Sequence, residues 1–373
     1  MQRRTLIAGA LGLPVAAALW QFTSAPAQAN YSPVCSAANN AEGQPILGAM
    51  HGDHWAFTLP GDERGHDSCV HNERAEALFF ARRPGTHIYV VDLKTGKLRH
   101  KINAAEGYHF YGHGCVSGDG RYLYTTENHV ADDGRGVIGV YDCYDQYRLI
   151  SHMDCGGIGP HELALMPDGK HIVVAVGGIK TLPASGRKTL NPGALEPGLS
   201  YLNLAEQRVV AFIPSPDAQL SLRHLDVNTN GDVVVGGQYQ GTTPSAKPLI
   251  YHHRLGSEML ALDINTELAM RNDYVASVAT DDQQNVLCSF PRDNQLGLWS
   301  IPQRRLLHSW RLRDCAGAVY DAANKQFIVS SSSGQLMAAR AGEDKLSTLA
   351  YLPGLRWDNH LSLIPPHLAN TLG

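Results

Sequence analysis

The stretch Gly112-His113-Gly114-Cys115-Val116-Ser117-Gly118-Asp119-Gly120-Arg121-Tyr122-Leu123-Tyr124 decides the fold. It holds a histidine, an Asp-Gly turn a few residues on, and then a β-rich run. The same phrase recurs along the chain. Pro160-His161-Glu162-Leu163 runs into Met166-Pro167-Asp168-Gly169-Lys170-His171-Ile172-Val173. Arg223-His224-Leu225-Asp226 runs into Asn230-Gly231-Asp232-Val233-Val234, and Gly65-His66-Asp67-Ser68-Cys69-Val70 opens an earlier copy. Weaker copies begin at Ser277 and Gly317, and a last one starts at Asn359-His360-Leu361-Ser362.

The anchors at 66, 113, 161, 224, 277, 317 and 360 are spaced by 47, 48, 63, 53, 40 and 43 residues. Four-stranded propeller blades repeat at about 40–50 residues. The long spacing contains a Gly/Pro-rich loop over 177–199. Seven anchors therefore predict seven blades. Only 14 residues run from 360 to 373, enough for one strand and a tail. The last blade must borrow strands from ahead of the first anchor, and 46–59 can supply them. Closing the ring in this way removes the open edges of a linear array. The expectation is an all-β, seven-bladed β-propeller closed by strands from both termini. It spans 44–365, after a linker over 30–43 and before a tail over 366–373.

Composition agrees with one large all-β domain. The chain has 373 residues, 43% apolar and 18% charged, with 37 Gly and 20 Pro. A charged fraction below the ~25% of ordinary domains excludes a disordered or coiled-coil chain. The net charge of −4 gives no footprint for nucleic acid. No apolar run of about 18 residues occurs beyond the first 20, so no membrane span is expected in the mature form. The sequence has no Ser-His-Asp order, P-loop, dinucleotide fingerprint or His-Glu-x-x-His, and no nucleotide cofactor is expected. Whether the protein is an enzyme is left open.

The first residues read as an address. Arg3-Arg4 precede Thr5-Leu6, a mild apolar stretch follows, and Ala27-Gln28-Ala29 offers a small-residue exit. This is the pattern of a twin-arginine export signal over 1–29, cleaved near Ala29, and it predicts a periplasmic protein. Seven cysteines follow it: Cys35, Cys69, Cys115, Cys143, Cys155, Cys288 and Cys315. The odd count leaves at least one thiol free, and Cys69 with Cys115 is a candidate pair on neighbouring blades.

Several phrases resemble a known family: Arg82-Arg83-Pro84-Gly85, His109-Phe110-Tyr111-Gly112-His113-Gly114, Gly157-Ile158-Gly159-Pro160-His161-Glu162-Leu163, Ser221-Leu222-Arg223-His224-Leu225 and Asp314-Cys315-Ala316-Gly317. Together they resemble the twin-arginine-exported bacterial family labelled domain of unknown function 1513. The resemblance covers about residues 50–345. It implies a periplasmic seven-bladed propeller, encoded beside iron-responsive periplasmic proteins, and it carries no activity. Departures are Tyr108, Val176, Leu182 and Gly198, which replace an Arg, an Asn, a His and a Ser of the family pattern.

Five of the seven anchors are histidine: His66, His113, His161, His224 and His360. In a propeller each such position lies at the start of a channel-lining strand. Three readings stand. The five imidazoles are ligands of a metal ion; neutral imidazole suits copper, zinc, iron and nickel, and the absence of thiolates disfavours structural zinc. Iron, implied by the resemblance, stands first, and copper, by ligand softness alone, second. Alternatively, the histidines bond water and backbone. Or Arg82, Arg83 and Arg223 join them to hold a carboxylate or phosphate. The metal reading makes the chain a metal-handling propeller or, with a redox-active ion, a metal-dependent oxidoreductase; without a metal it would be a scaffold that binds a protein. Partners would be a metal ion or small molecule, or other periplasmic iron-related proteins.

Strand alternation predicts that Glu162 and Arg223 point away from the channel, Arg223 into an inter-blade salt bridge. His109 is a further ligand candidate. Tyr111 reads as a packed aromatic, and the adjacent His252-His253 point apart.

Overall fold

Seven antiparallel sheets form around one axis in the computed structural model, which describes residues 31–186, 188–241, 247–263 and 273–372. The expected export signal at 1–29 lies outside the described residues. Six sheets are consecutive four-stranded meanders. The first blade, for example, runs Gly65–His71, Glu76–Ala81, His87–Asp92 and Leu98–Asn103. The opening strands of successive blades touch one another and form the wall of the channel. They are Gly65–His71, Tyr108–Val116, Pro160–Leu165, Leu220–Val227, Ser277–Thr280 and Cys315–Asp321. All six anchors from 66 to 317 lie on these strands. The second and third strands carry the β-branched and aromatic runs, such as Ile172-Val173-Val174-Ala175-Val176, which are buried on both faces between neighbouring blades.

The seventh blade closes the ring with both ends of the chain. Its outer strands are Val34–Asn39, Pro45–His51 and His54–Pro60. Its innermost edge is Arg356–Trp357 and Ser362–Leu363, both paired antiparallel to Val34–Asn39. The stretch expected as linker, 30–43, thus contains the strand Val34–Asn39: this segment is apolar enough (Val34, Cys35, Ala37) to be covered by the neighbouring blade. Trp357 packs against Trp55, with ring centroids 5.3 Å apart, and fastens the C-terminal piece to the N-terminal hairpin. A short helix, Pro366–Ala369, follows and buries Leu368 in the same cluster as Phe79 and Leu47. No helix among the described residues is long and apolar enough to cross a membrane.

The pairing register slips at the anchors. Pairing shifts between Gly65 and Ser68, Phe110 and Gly114, Pro160 and Leu163, Leu222 and His224, and Cys315 and Ala318. Each slip inserts unpaired residues into the innermost strand, and a β-bulge re-aims the side chains beside it. In the closing blade the same effect comes from a gap, because 358–361 separate the two short inner strands. His360 lies in that gap, its carbonyl accepting from Ser36 Oγ at 2.7 Å.

Candidate metal centre

The bulges, and the gap in the closing blade, bring all five anchor histidines to one place in the channel. Ring centroids of His66 and His113 are 4.7 Å apart, of His113 and His161 5.0 Å, and of His161 and His224 4.7 Å. His224 and His360 are 4.7 Å apart, and His360 returns to His66 at 4.9 Å. His113 sits within 5.8 Å of the other four. All five are buried. Gly112 makes room for this: its φ of +110° belongs to the left-handed half of the map, and a Cβ there would meet His66 Cδ2 at 2.8 Å. Gly317 does the same on the sixth blade, where a Cβ would strike the His360 backbone.

Carboxylates face the outer nitrogens. His113 Nδ1 is 3.1 Å from Asp67 Oδ2, and His224 Nδ1 is 3.1 Å from Glu162 Oε2. His66 Nδ1 is 3.4 Å from Asp358 Oδ1, a carboxylate that also accepts from Arg64 Nε at 2.5 Å. A carboxylate only accepts, so the contacts with Asp67 and Asp358 place the proton on Nδ1 of His113 and His66 and leave their Nε2 lone pairs for another partner. His224 Nε2 meets the Tyr274 hydroxyl at 3.2 Å. His113 Nε2, His161 Nδ1 and His360 Nε2 are buried without a hydrogen-bond partner. Three orphaned imidazole nitrogens in one cluster call for a ligand, since buried polar atoms are normally satisfied.

Two groups have ligand atoms within 4.8 Å of one another: His66, His113 and His161, and His113, His224 and His360. Nitrogens bound to one ion at ~2.0–2.1 Å lie about 3–4 Å apart, so the rings close on an ion by moving inward less than ~1 Å. A third group, Asp67, His113 and Glu162, lies beside them.

Four of the imidazoles are held towards the neutral form. His66, His161, His224 and His360 are all driven well below the ordinary histidine value, first by burial and then by neighbouring imidazoles. Arg82 adds to the effect on His66, His224 and His360, and Arg223 on His161 and His224. Glu162 moves the other way: burial, and then the charge of Asp67, push its carboxyl well up.

The cluster separates two cavities of opposite character. One, of about 340 Å³, is lined by five arginines together with His66 and His161. The other, of about 250 Å³, is lined by Asp67, Glu162 and Asp226 together with His360.

Glu162 and Arg223 therefore do not point away from the channel. Across the slip from Pro160 to Leu163 Glu162 reaches His224 Nδ1, and across the slip from Leu222 to His224 Arg223 reaches the cavity that His161 lines. Alternation holds only where the ladder is regular. His109 stays outside the cluster, bonded to the Phe110 carbonyl at 3.2 Å. His252 and His253 point apart, to Asp232 and Tyr201. All seven cysteines are free thiols, including Cys69 and Cys115. Sequence reasoning missed Asp67 and Asp358 as partners of the ring nitrogens. The signal for Asp67 was present, because His66-Asp67 and His161-Glu162 repeat a histidine followed by an acid at equivalent anchors.

Comparison with known proteins bears on fold and family. The family described as "Protein of unknown function (DUF1513)" matches residues 59–364. No curated protein matches the chain. Among solved structures, the chain is similar to hydrazine synthase of Kuenenia stuttgartiensis, at 12% identity and a TM-score of 0.63, covering 88% of this chain and 97% of that one. It is also similar to the WD40 repeats of RRP9, at 14% identity and a TM-score of 0.61, covering 88% of each chain. Its likeness to U3-55K, at 14% identity and a TM-score of 0.59, covers 81% of this chain and 85% of that one. At these identities the likeness is one of fold alone.

Proposed function

The chain belongs to the DUF1513 family, and from its channel we propose that it is a periplasmic metal-handling propeller whose cluster of His66, His113, His161, His224 and His360 takes up copper or iron. The observation that carries this reading is the set of three inward, unpartnered imidazole nitrogens on His113, His161 and His360. Two features support it. Carboxylates on the far nitrogens are the usual outer partners of metal-binding histidines and raise their basicity. Neutral rings need not shed a proton before coordinating. An all-imidazole donor set favours copper by the divalent affinity order; iron follows from the family resemblance. Export after folding, through the Arg3-Arg4 signal, would let the protein acquire its ion before it reaches the periplasm.

Metal-free protein titrated with Cu(II), Cu(I) and Fe(II) against a chromophoric chelator should take up one ion per chain. X-ray absorption should give nitrogen scatterers at ~2.0 Å and no sulfur. A His113→Ala/His360→Ala protein that folds and still binds at full stoichiometry and affinity overturns the ligand assignment. A wild-type protein that takes up none of these ions overturns the reading as a whole.

A second reading, a metal-dependent oxidoreductase, is favoured by one observation. The 340 Å³ cavity gives a small molecule direct access to His66 and His161. Turnover of a phenol or peroxide by the loaded protein, absent from the His113→Ala form, would distinguish it from simple handling.

A further inference from the structure

The cavity on one side of the imidazoles is lined by Arg64, Arg82, Arg83, Arg223 and Arg292, with Asp314 as the one acidic lining residue among the described residues. Arginines therefore outnumber acidic groups in the lining five to one. Chain positions far apart contribute them: 64, 82 and 83 flank the first two strands of the first blade, 223 lies in the fourth blade, and 292 in the fifth. Three of these arginines are braced from outside the lining, Arg64 and Arg82 by Asp358 and Arg292 by Asp273.

The arginines are positioned as well as concentrated. Arg83 lies over the Tyr111 ring and Arg292 over the Tyr274 ring, each 5.4 Å from the centroid. Stacking holds the face of a guanidinium and leaves its donors spread in the plane, the arrangement that meets carboxylate or phosphate oxygens in pairs. An independent feature points to the same ligand. The Tyr111 hydroxyl, on a residue 2% exposed, lines this cavity and has no hydrogen-bond partner. It is a donor awaiting an acceptor. The cavity's 340 Å³ lies at the small end of ligand sites, which run from about 300 to 1,000 Å³.

We propose that this vestibule binds a small multivalent oxyanion, whose carboxylate or phosphate oxygens are held by the arginine cluster and the Tyr111 hydroxyl. The site stands on the arginines and does not require an ion in the imidazole cluster. Where an ion is present, its charge would be balanced from this side, because His66 and His161 form the floor of the same cavity.

The test is calorimetric titration of metal-free, full-length protein with citrate and with inorganic phosphate, in chloride buffer of fixed ionic strength. One anion should bind per chain, and binding should weaken steeply with added salt. Arg83→Gln and Arg292→Gln should each weaken it by about tenfold, the loss expected for one charge-assisted contact. Tyr111→Phe should weaken it by a smaller factor, and melting temperatures serve as the control for folding. Tighter citrate binding assigns a carboxylate ligand, and tighter phosphate binding assigns a phosphate. Failure of both anions to bind, or equal binding to the arginine variants, overturns the proposal, whatever metal uptake is found. Citrate binding retained in a His113→Ala/His360→Ala protein would uphold the vestibule even if the metal reading fell.

Discussion

Asp67→Asn should change metal affinity and metal-free stability in opposite directions. Asp67 Oδ2 accepts from His113 Nδ1 at 3.1 Å, and His113 belongs to both imidazole triads. Removing such a carboxylate from a ligand histidine typically costs 10–100-fold in metal affinity, or about 1.4–2.7 kcal/mol. The metal-free protein has the opposite problem. Asp67 and Glu162 offer oxygens within 4.8 Å of each other, on side chains only 13% and 18% exposed. Full charge on both would cost about 3.5 kcal/mol at an effective dielectric of ~20, and the raised Glu162 carboxyl is the protein's response. Asparagine keeps an acceptor for His113, so the contact loses only its charge assistance, about 1 kcal/mol. The variant should therefore be at least as stable as wild type in urea without metal, while chelator competition shows 10–100-fold weaker binding. Unchanged affinity would refute the role given to the carboxylate. A clear loss of metal-free stability would show that Asp67 serves the fold instead.

Three further outcomes follow from the same geometry. Gly112→Ala puts a Cβ at a φ of +110° and 2.8 Å from His66 Cδ2, so it should cost about 1–3 kcal/mol in urea unfolding and weaken metal uptake by displacing that ring. Trp357→Ala removes a buried ring packed on Trp55 in the closing blade, and should cost about 3–5 kcal/mol with a matching fall in melting temperature. Metal-free protein should lose stability in acid. The four depressed histidines of the cluster, with His109 and His253, which burial also lowers, resist protonation when folded but take up protons when unfolded, so their contribution is fully present above about pH 6.5 and falls below it. Glu162 and Asp226, both raised, act oppositely but number only two. Each such histidine that is protonated only in the unfolded chain contributes about 1.4 kcal/mol per pH unit, and urea midpoints should fall from pH 7.5 to pH 5.

The ring and its anchors were legible because a blade is a short, repeated phrase. A turn such as Asp119-Gly120 before Tyr122–His129 states where one strand ends and the next begins, and all seven anchors fall on or beside an innermost strand. Closure was legible by subtraction, since 14 residues cannot make a blade. The contribution of Val34–Asn39 was missed because the sequence does not state which neighbour will cover a short apolar segment. The environment of the imidazoles was less readable. Alternation sends Glu162 and Arg223 outward, and only the register slips bring them back. A slip depends on how the next strand pairs, which is a property of two segments. Asp358 illustrates a second limit, because it reaches His66 from 292 residues away.

The break in the closing strand has a consequence for assembly. His360 joins His66 only when the two ends of the circle have met, so a half-built or frayed ring presents at most a partial set of donors. Capture of an ion there would report completion, and a bound ion would in turn act as a latch, favouring the sealed circle over any form in which 356–363 have peeled away.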